Sequence, residues 1–419
     1  MRIALLSYRS KPHCGGQGIY LRHLSRELVA LGHEVEVFSG QPYPELDDGV
    51  TLTKVPSLDL YREPDPFRIP QWREFRDLTD VQEFAIMCAG GFPEPRTFSK
   101  RVARLLTDRA GDFDIVHDNQ TLGHGMLDIK ALGVPFITSI HHPITFDRRI
   151  DLAAAEDIGG WEGFKKRRSL PRWYGFLRMQ GHVARRIGRI LTVSESSARD
   201  IAADFGVDPT QIEVIPLGVD AGFVPPTEPR VPGRIMAMAS ADAPMKGIAT
   251  LLEAFAKLRT ERDVSLVLVT KPTPGGRTEQ LIEQRGIGEH VTFVNGISDA
   301  ELVRVMGSAE IACVPSLYEG FSLPTAELMA CATPLVVSRA GAIPEVVGPD
   351  GLCADLVAPG DVGELTLALE ALLDDPERRA RMGAAGRERA LERFSWHAVA
   401  VKTAAAYEQV IAETRGPAC

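Results

Sequence analysis

Short, wholly apolar runs alternate with stretches of helical periodicity along most of the chain. "IALLS" (Ile3 to Ser7) leads through a polar loop, "YRSKPHCGGQG", into "IYLRHLSRELVALGH", where Leu21, Leu24, Leu28 and Leu31 recur at helical spacing. "EVEVFSG" follows, then "FDIVH" (113–117), "VPFITSI" (134–140), "RILTVS" (189–194) and "IEVIPLG" (212–218), with helical stretches between most of them. Strands buried on both faces read as continuous apolar runs, and their alternation with helices predicts a parallel, doubly wound sheet.

The texture breaks at "VDAGFVPPTEPRVPG" (219–233), which is rich in Pro and Gly and has no periodicity, as a linker would be. The alternation then restarts with "RIMAMAS", "KGIATLLEAFAKL", "VSLVLVT", "VTFVNG", "EIACVPS" and "PLVVS". The expected organisation is α/β throughout: a Rossmann-like domain over 1–218, a linker at 219–233 and a second Rossmann-like domain over 234–394. A terminal helix over 395–419 is expected to pack back on the first domain, with Trp396, Ala400, Thr403 and Tyr407 on one face. Two such domains would face each other across a cleft lined by the carboxyl ends of their strands, and that cleft would close by hinge motion at the linker.

Two segments escape this alternation. Residues 56–100 hold many prolines and aromatics and fit no simple unit. Residues 161–189 carry nine Lys and Arg against one acid, Glu162, interleaved with aromatics. That stretch suits either a solvated helix face or a contact with an anionic surface or acceptor.

Composition narrows the classes. A formal net charge of −9 argues against general nucleic-acid binding. The six cysteines form no CxxC and sit in mostly apolar surroundings, as reduced thiols do. The opening "MRIALLS" lacks the basic and apolar regions of a secretory signal, so the expected location is the cytoplasm, with a peripheral position at the inner membrane face as the variant that 161–189 would allow.

Four clusters carry candidate chemistry. "HCGGQG" places Gly15 and Gly16 between the first strand and a helix, where backbone can approach a phosphate. The spacing is not GxGxxG and the next strand ends without an acid, which counts against a dinucleotide-binding dehydrogenase. His141 directly follows an apolar strand, at the ligand-binding end of a sheet. Lys246 stands at a helix start after the first strand of the second domain, suited to a pyrophosphate. In "YEGFSLPTAELMACATPLVVS", Glu319 lies on a loop and Glu327 eight positions on, inside the helix that follows. Backbone N–H groups from Gly320 through Phe321 and Ser322 to Leu323 surround that helix start, which favours an anion. Two acceptors flanking an anion-binding turn suit a nucleotide sugar.

Together, "GGQGIYLRHLSRELVALGHEVEVFS", "FDIVHDNQ", "ITSIHH", "KGIATLLEAFAKL", "EGFSLPTAELMACATPLVVS", "GAIPEVV" and the terminal "RFSW" resemble the retaining glycosyltransferases of family 4, which have the GT-B fold. The resemblance spans nearly the whole chain. It implies transfer of a hexose from a nucleotide sugar to a glycan, glycolipid or small glycoside, with no metal and no cofactor beyond that GDP- or UDP-linked co-substrate. It assigns His141 and Glu319 to the donor sugar at the reacting centre. Gly15 and Gly16 go to the diphosphate and the acceptor, Lys246 to the phosphates, Gly320 to Leu323 to the donor through their backbone, and Glu327 to the ribose. Asp299, in "GISD", is placed to accept from guanine, which leans the donor toward GDP-mannose.

Two departures stand out. Where the family commonly carries an Arg six positions before the lysine, this chain has Ser240, so Arg339 becomes a candidate second cation. The family's glycine pair after "VSLVLV" is replaced by "TKPTPGG". A nucleotide-sugar 2-epimerase or hydrolase of the same fold, and a nucleotide-sugar-binding protein without turnover, are the competing readings. "DFD" (Asp112, Asp114) frames a buried strand and is read as structural.

Overall fold

The computed structural model describes residues 1–11, 16–62, 64–156, 158, 160–239 and 242–416. Gly15 and Ser240 therefore lie outside the described residues. The chain forms two compact units: Met1–Pro216 joined by the stretch from Trp396 onward, and Leu217–Ser395.

The first unit is built on a seven-stranded sheet ordered β3-β2-β1-β4-β5-β6-β7. Its strands are β1 (Arg2–Ser7), β2 (Glu34–Ser39), β3 (Val50–Lys54), β4 (Ile115–Asn119), β5 (Phe136–Ser139), β6 (Ile190–Thr192) and β7 (Ile212–Val214), all parallel. The central strands are buried on both faces, β1 through an apolar run and β4 although it carries His117, Asp118 and Asn119. β3, "VTLTK", escapes the apolar-run pattern because it is a half-exposed edge strand. The chain reverses its direction of winding between β1 and β4, and their carboxyl ends open the crevice where ligands of such sheets bind. The closing helix Trp396–Arg415 belongs to this unit and buries Trp396, Ala400, Thr403 and Tyr407. Trp396 stacks on His23, with ring centroids 4.9 Å apart, against the helix Gly16–Ala30.

The second unit has a six-stranded parallel sheet ordered β10-β9-β8-β11-β12-β13. It comprises β8 (Val231–Met238), β9 (Ser265–Val269), β10 (Val291–Val294), β11 (Ala309–Val314), β12 (Leu335–Ser338) and β13 (Asp355–Val357). Here the winding reverses between β8 and β11. Both sheets are α/β and doubly wound.

The linker expected over 219–233 needs correction at its end, because β8 begins at Val231. The segment is also pinned. Arg230 donates to the carbonyls of Gly307, Ala309, Cys331 and Ala332 and to the Thr333 hydroxyl, and Val219 bridges to Ser395. All these partners are distant in sequence, so local composition cannot show them. Among the described residues no helix is long and apolar enough to cross a membrane.

Candidate active site

In the first unit the candidate groups gather at the carboxyl ends of β4 and β5. Gly16 opens the helix Gly16–Ala30 and is exposed, with open space where a Cβ would stand. Gly18, two positions on, is constrained differently: a Cβ there would lie 2.1 Å from the Lys11 carbonyl oxygen, so only glycine lets loop and helix approach.

His141 is held on three sides. Its backbone N–H donates to Gln120 Oε1 at 2.8 Å, its carbonyl accepts from Ser197 Oγ at 2.9 Å, and its Nε2 lies 2.7 Å from Asn119 Oδ1. Asn119 donates its amide to the Gln17 carbonyl, which leaves Oδ1 as an acceptor and assigns the proton to His141 Nε2. The Nδ1 lone pair is then the atom able to accept from a ligand hydroxyl. Desolvation, with the neighbouring His142 second, pushes His141 down to about 3, so the ring is neutral at physiological pH.

Gln120 ties this corner together. It has a left-handed backbone (φ 58°) and binds the N–H of His141 through its side-chain oxygen and the carbonyl of His142 through its side-chain amide. Behind it, fully buried His117 bridges Tyr407 Oη at 2.6 Å and Ser139 Oγ at 2.7 Å. Asn119 and Gln120 stand in the "DNQ" that ends an apolar strand. That polar triplet at the sheet's carboxyl edge is the sequence signal for them, and no role follows from it alone.

In the second unit Lys246 and Glu319 come together where the winding reverses. Lys246 ends the short turn Pro244–Lys246 after β8, and Glu319 follows β11. Lys246 Nζ donates to Glu319 Oε1 at 2.8 Å, and Ser316 Oγ donates to the same oxygen at 2.7 Å. Two glycines make room for this pair. Gly247 (φ 65°) would place a Cβ 1.9 Å from the Pro315 carbonyl oxygen, and Gly341 (φ 53°) 2.2 Å from that of Glu319. The Glu319 carbonyl accepts from the Ala342 N–H at 2.9 Å.

Ser322 caps the helix Leu323–Ala330 in a left-handed conformation (φ 79°), rare for a residue with a Cβ. Its hydroxyl bonds that of Thr325 at 2.8 Å. The strained cap turns the chain sharply from loop to helix; within the first turn Pro324 has no N–H, and those of Thr325 and Ala326 donate to the Ser322 carbonyl. The side chains of Phe321 and Leu323 are buried, and Phe321 packs edge-to-face on Phe394. Only their backbone is suited to a ligand.

Glu327 is 9 % exposed, and among the described residues no donor bonds its carboxyl. Desolvation, then Asp299 and Asp220, raises it to about 7. Asp299 is exposed at the first position of the helix Asp299–Ser308, close enough for its charge to reach Glu327. A buried carboxyl in this position can accept from ligand hydroxyls.

Arg339 does not join this group. It pairs with Asp350 at 3.2 Å and donates to the Leu356 carbonyl, so the suggestion that it shares the phosphate load is not carried by the geometry. Asp112 pairs with Arg109 and Asp114 with Arg2, and no metal-ligand cluster occurs among the described residues.

Two doubly wound units, each with a polar cluster at the carboxyl end of its sheet, make up the chain. The family model described as "Glycosyltransferase Family 4" matches residues 14–223, and "Glycosyl transferases group 1" matches 226–389. The chain belongs to the family 4 glycosyltransferases and is a hexosyltransferase. It is 59 % identical over 413 residues, 98 % of this chain and 99 % of the relative, to an MMP alpha-(1->4)-mannosyltransferase of Mycolicibacterium hassiacum. Among solved structures it resembles sucrose-phosphate synthase of Thermosynechococcus elongatus (TM-score 0.72, 22 % identity, 98 % and 99 % of the two chains). It also resembles Anabaena Alr3699/HepE in complex with UDP-glucose (TM-score 0.70, 16 % identity, 98 % and 100 %). At those identities the two structures speak for the GT-B fold alone.

Proposed function

We propose that the protein transfers mannose from a nucleotide-linked donor, with GDP-mannose the favoured one, to the 4-hydroxyl of a mannosyl acceptor, with retention of configuration. The observation that carries the reading is the 59 % identity, over 98 % of the chain, to an alpha-(1->4)-mannosyltransferase. The paired Lys246 and Glu319 at the second unit's switch point support it.

Lys246, the backbone from Gly320 to Leu323, and the Gly15–Gly16 loop hold the diphosphate. Glu319 and His141 accept from the sugar hydroxyls, Glu327 accepts from the ribose, and Asp299 faces a guanine. The acceptor oxygen bonds to C1 as the bond from C1 to the phosphate oxygen breaks, and the acceptor proton passes to the departing phosphate on the same face. The α-link of the donor reappears in an α-(1→4) product. Catalysis rests on stabilising the leaving diphosphate, so neither a metal nor a carboxylate nucleophile enters. The protein works in the cytoplasm, and the basic stretch 161–189 brings it to an anionic membrane face when the acceptor is lipid-borne.

Thermal melting without added metal against GDP, UDP, ADP and their sugars tests the donor: a ligand raises the midpoint with the logarithm of its saturation. GDP and GDP-mannose are expected to shift it. Incubating GDP-mannose with methyl α-mannoside and its (1→4)-linked oligomers, and reading the new anomeric signal by NMR, tests the reaction. A β-linked product, or donor hydrolysis indifferent to acceptor, overturns it.

A further inference from the structure

The described residues between 56 and 76 form a loop that exposes two aromatic rings, Phe67 and Trp72. Arg68, 9 % exposed, staples the loop from within: it donates to the Leu58 carbonyl at 2.7 Å and to both oxygens of Glu74 at 2.6 Å. Leu58 and Leu60 are buried beneath it. Directly beside this anchor stands Phe67, 58 % exposed, with a left-handed backbone (φ 66°) and its N–H donating to the Leu60 carbonyl at 2.8 Å. A left-handed phenylalanine is costly, and a water-facing ring gains nothing from burial in return. Strain of this kind persists where the surroundings impose it, and it concentrates at ligand-binding sites.

The ring is not isolated. Its centroid lies 5.3 Å from that of Tyr61 and 6.2 Å from that of Trp173, both half-buried. Phe92 backs the cluster at 5.5 Å from Tyr61 and 5.2 Å from Trp173, and reaches Tyr8 at 6.3 Å. Tyr8 follows β1 directly, so the aromatic floor abuts the ligand end of the sheet.

A second, independent feature lies there. Arg9 and Glu94 approach to 3.7 Å without forming a hydrogen bond, and Arg9 Nε and Glu94 Oε2 are both buried without partners. Glu94 is 8 % exposed, and burial raises its carboxyl to about 8. Buried polar atoms are normally satisfied, so this pair retains capacity for a ligand's hydroxyl groups.

We propose that Phe67, Tyr61 and Trp173, with the Arg9–Glu94 pair at their inner end, form the subsite for the acceptor glycan, binding pyranose units beyond the one that receives mannose. A pyranose offers an apolar C–H face, which the electron-rich face of an aromatic ring attracts, and equatorial hydroxyls, which the Arg9 guanidinium and the Glu94 carboxyl can hydrogen-bond. A rigid platform binds without paying to order itself. The inference rests on the transferase reading for the identity of the glycan, while its test does not.

Calorimetry of the full-length protein with methyl α-mannoside and with α-(1→4)-linked mannotetraose is the direct measurement. The tetraose is expected to bind at least tenfold more tightly than the monosaccharide. Phe67→Ala is expected to weaken tetraose binding about tenfold, which is 1.4 kcal/mol. Phe67→Trp should restore it, and Ile69→Ala, at a still more exposed site two positions away, should change nothing. With GDP-mannose added, Phe67→Ala should raise the acceptor KM and leave the donor KM and kcat near their starting values. Equal tetraose binding by wild type and Phe67→Ala, or no tetraose binding by wild type, overturns the proposal. Failure of the transferase reading shows separately, as absent transfer despite intact tetraose binding.

Discussion

Lys246 Nζ lies 2.8 Å from Glu319 Oε1, so the cation assigned to the phosphates and the carboxylate assigned to the sugar hold each other before any donor arrives. Ser316 shares that oxygen, which leaves Oε2 of Glu319 for a sugar hydroxyl. Lys246→Ala is expected to lower kcat/KM for the donor about 10²- to 10³-fold, the usual loss of one preorganised charge donor. Glu319→Gln keeps the shape but loses the charge-assisted bonds, and is expected to cost about 10- to 100-fold. Steady-state kinetics across donor concentrations check both, and a Lys246→Ala protein with unaltered donor kinetics would remove Lys246 from the site.

Glu327 makes stability and donor binding run in opposite directions with pH. Its carboxyl is raised from 4.5 to about 7, so between those values the folded chain keeps a proton that the unfolded chain has lost. Stability therefore falls as pH rises through this window, by about 3 kcal/mol in all, and is level above it. Glu327→Gln is expected to melt higher than wild type at pH 8, with the gain fading by pH 5. A ribose donating two hydroxyls prefers the carboxylate, so nucleotide affinity in the wild type should rise from pH 6 to 8, and in the Gln variant it should be weak and flat. Melting and calorimetry across pH read both trends.

His117 gives the first unit the opposite acid response. Desolvation, with His141 second, pushes it down to about 3. The unfolded chain takes up a proton below 6.5 that the folded unit refuses, so the contribution is full above 6.5 and is lost toward pH 3, at about 1.4 kcal/mol per pH unit. Tyr407→Phe removes the hydroxyl 2.6 Å from His117 Nδ1 and leaves a buried nitrogen without its partner. A loss of about 1–3 kcal/mol is expected by denaturant titration.

Gly341→Ala is predicted to damage the site more than the fold. The added Cβ would stand 2.2 Å from the Glu319 carbonyl oxygen at a positive φ, so the loop carrying Glu319 must move. Donor affinity should fall by at least tenfold, while circular dichroism keeps the helical signal. Normal donor affinity in this variant would show that the loop has slack the packing does not suggest.

The legible parts of the site were those written in local order. Lys246 after a strand, and Glu319 and Glu327 around a Gly-Phe-Ser-Leu-Pro turn, are read from adjacent residues, and the structure brings the first two into contact. Strands such as β1 and β12 were legible as short apolar runs, whereas edge strand β3 is half-exposed and alternates. The segment 56–100 stayed opaque because its order comes from charge pairs, Arg68 with Glu74 and Arg101 with Asp80 and Glu83. Partners 6 to 21 positions apart leave no periodic trace. Asn119 and Gln120 were visible as residues, but their grip on His141 depends on a neighbouring strand.

The first unit is assembled from both ends of the polypeptide, and its buried His117–Tyr407 bond joins positions 290 apart. On the ribosome, the stretch from Leu217 to Ser395 is contiguous and can finish folding as it emerges. The sheet made earlier must wait for the last helix, about 10–40 s at ordinary elongation rates. Through that interval the groove that Trp396 and Tyr407 will fill is open to solvent, so the older part of the nascent chain is the one most in need of a chaperone.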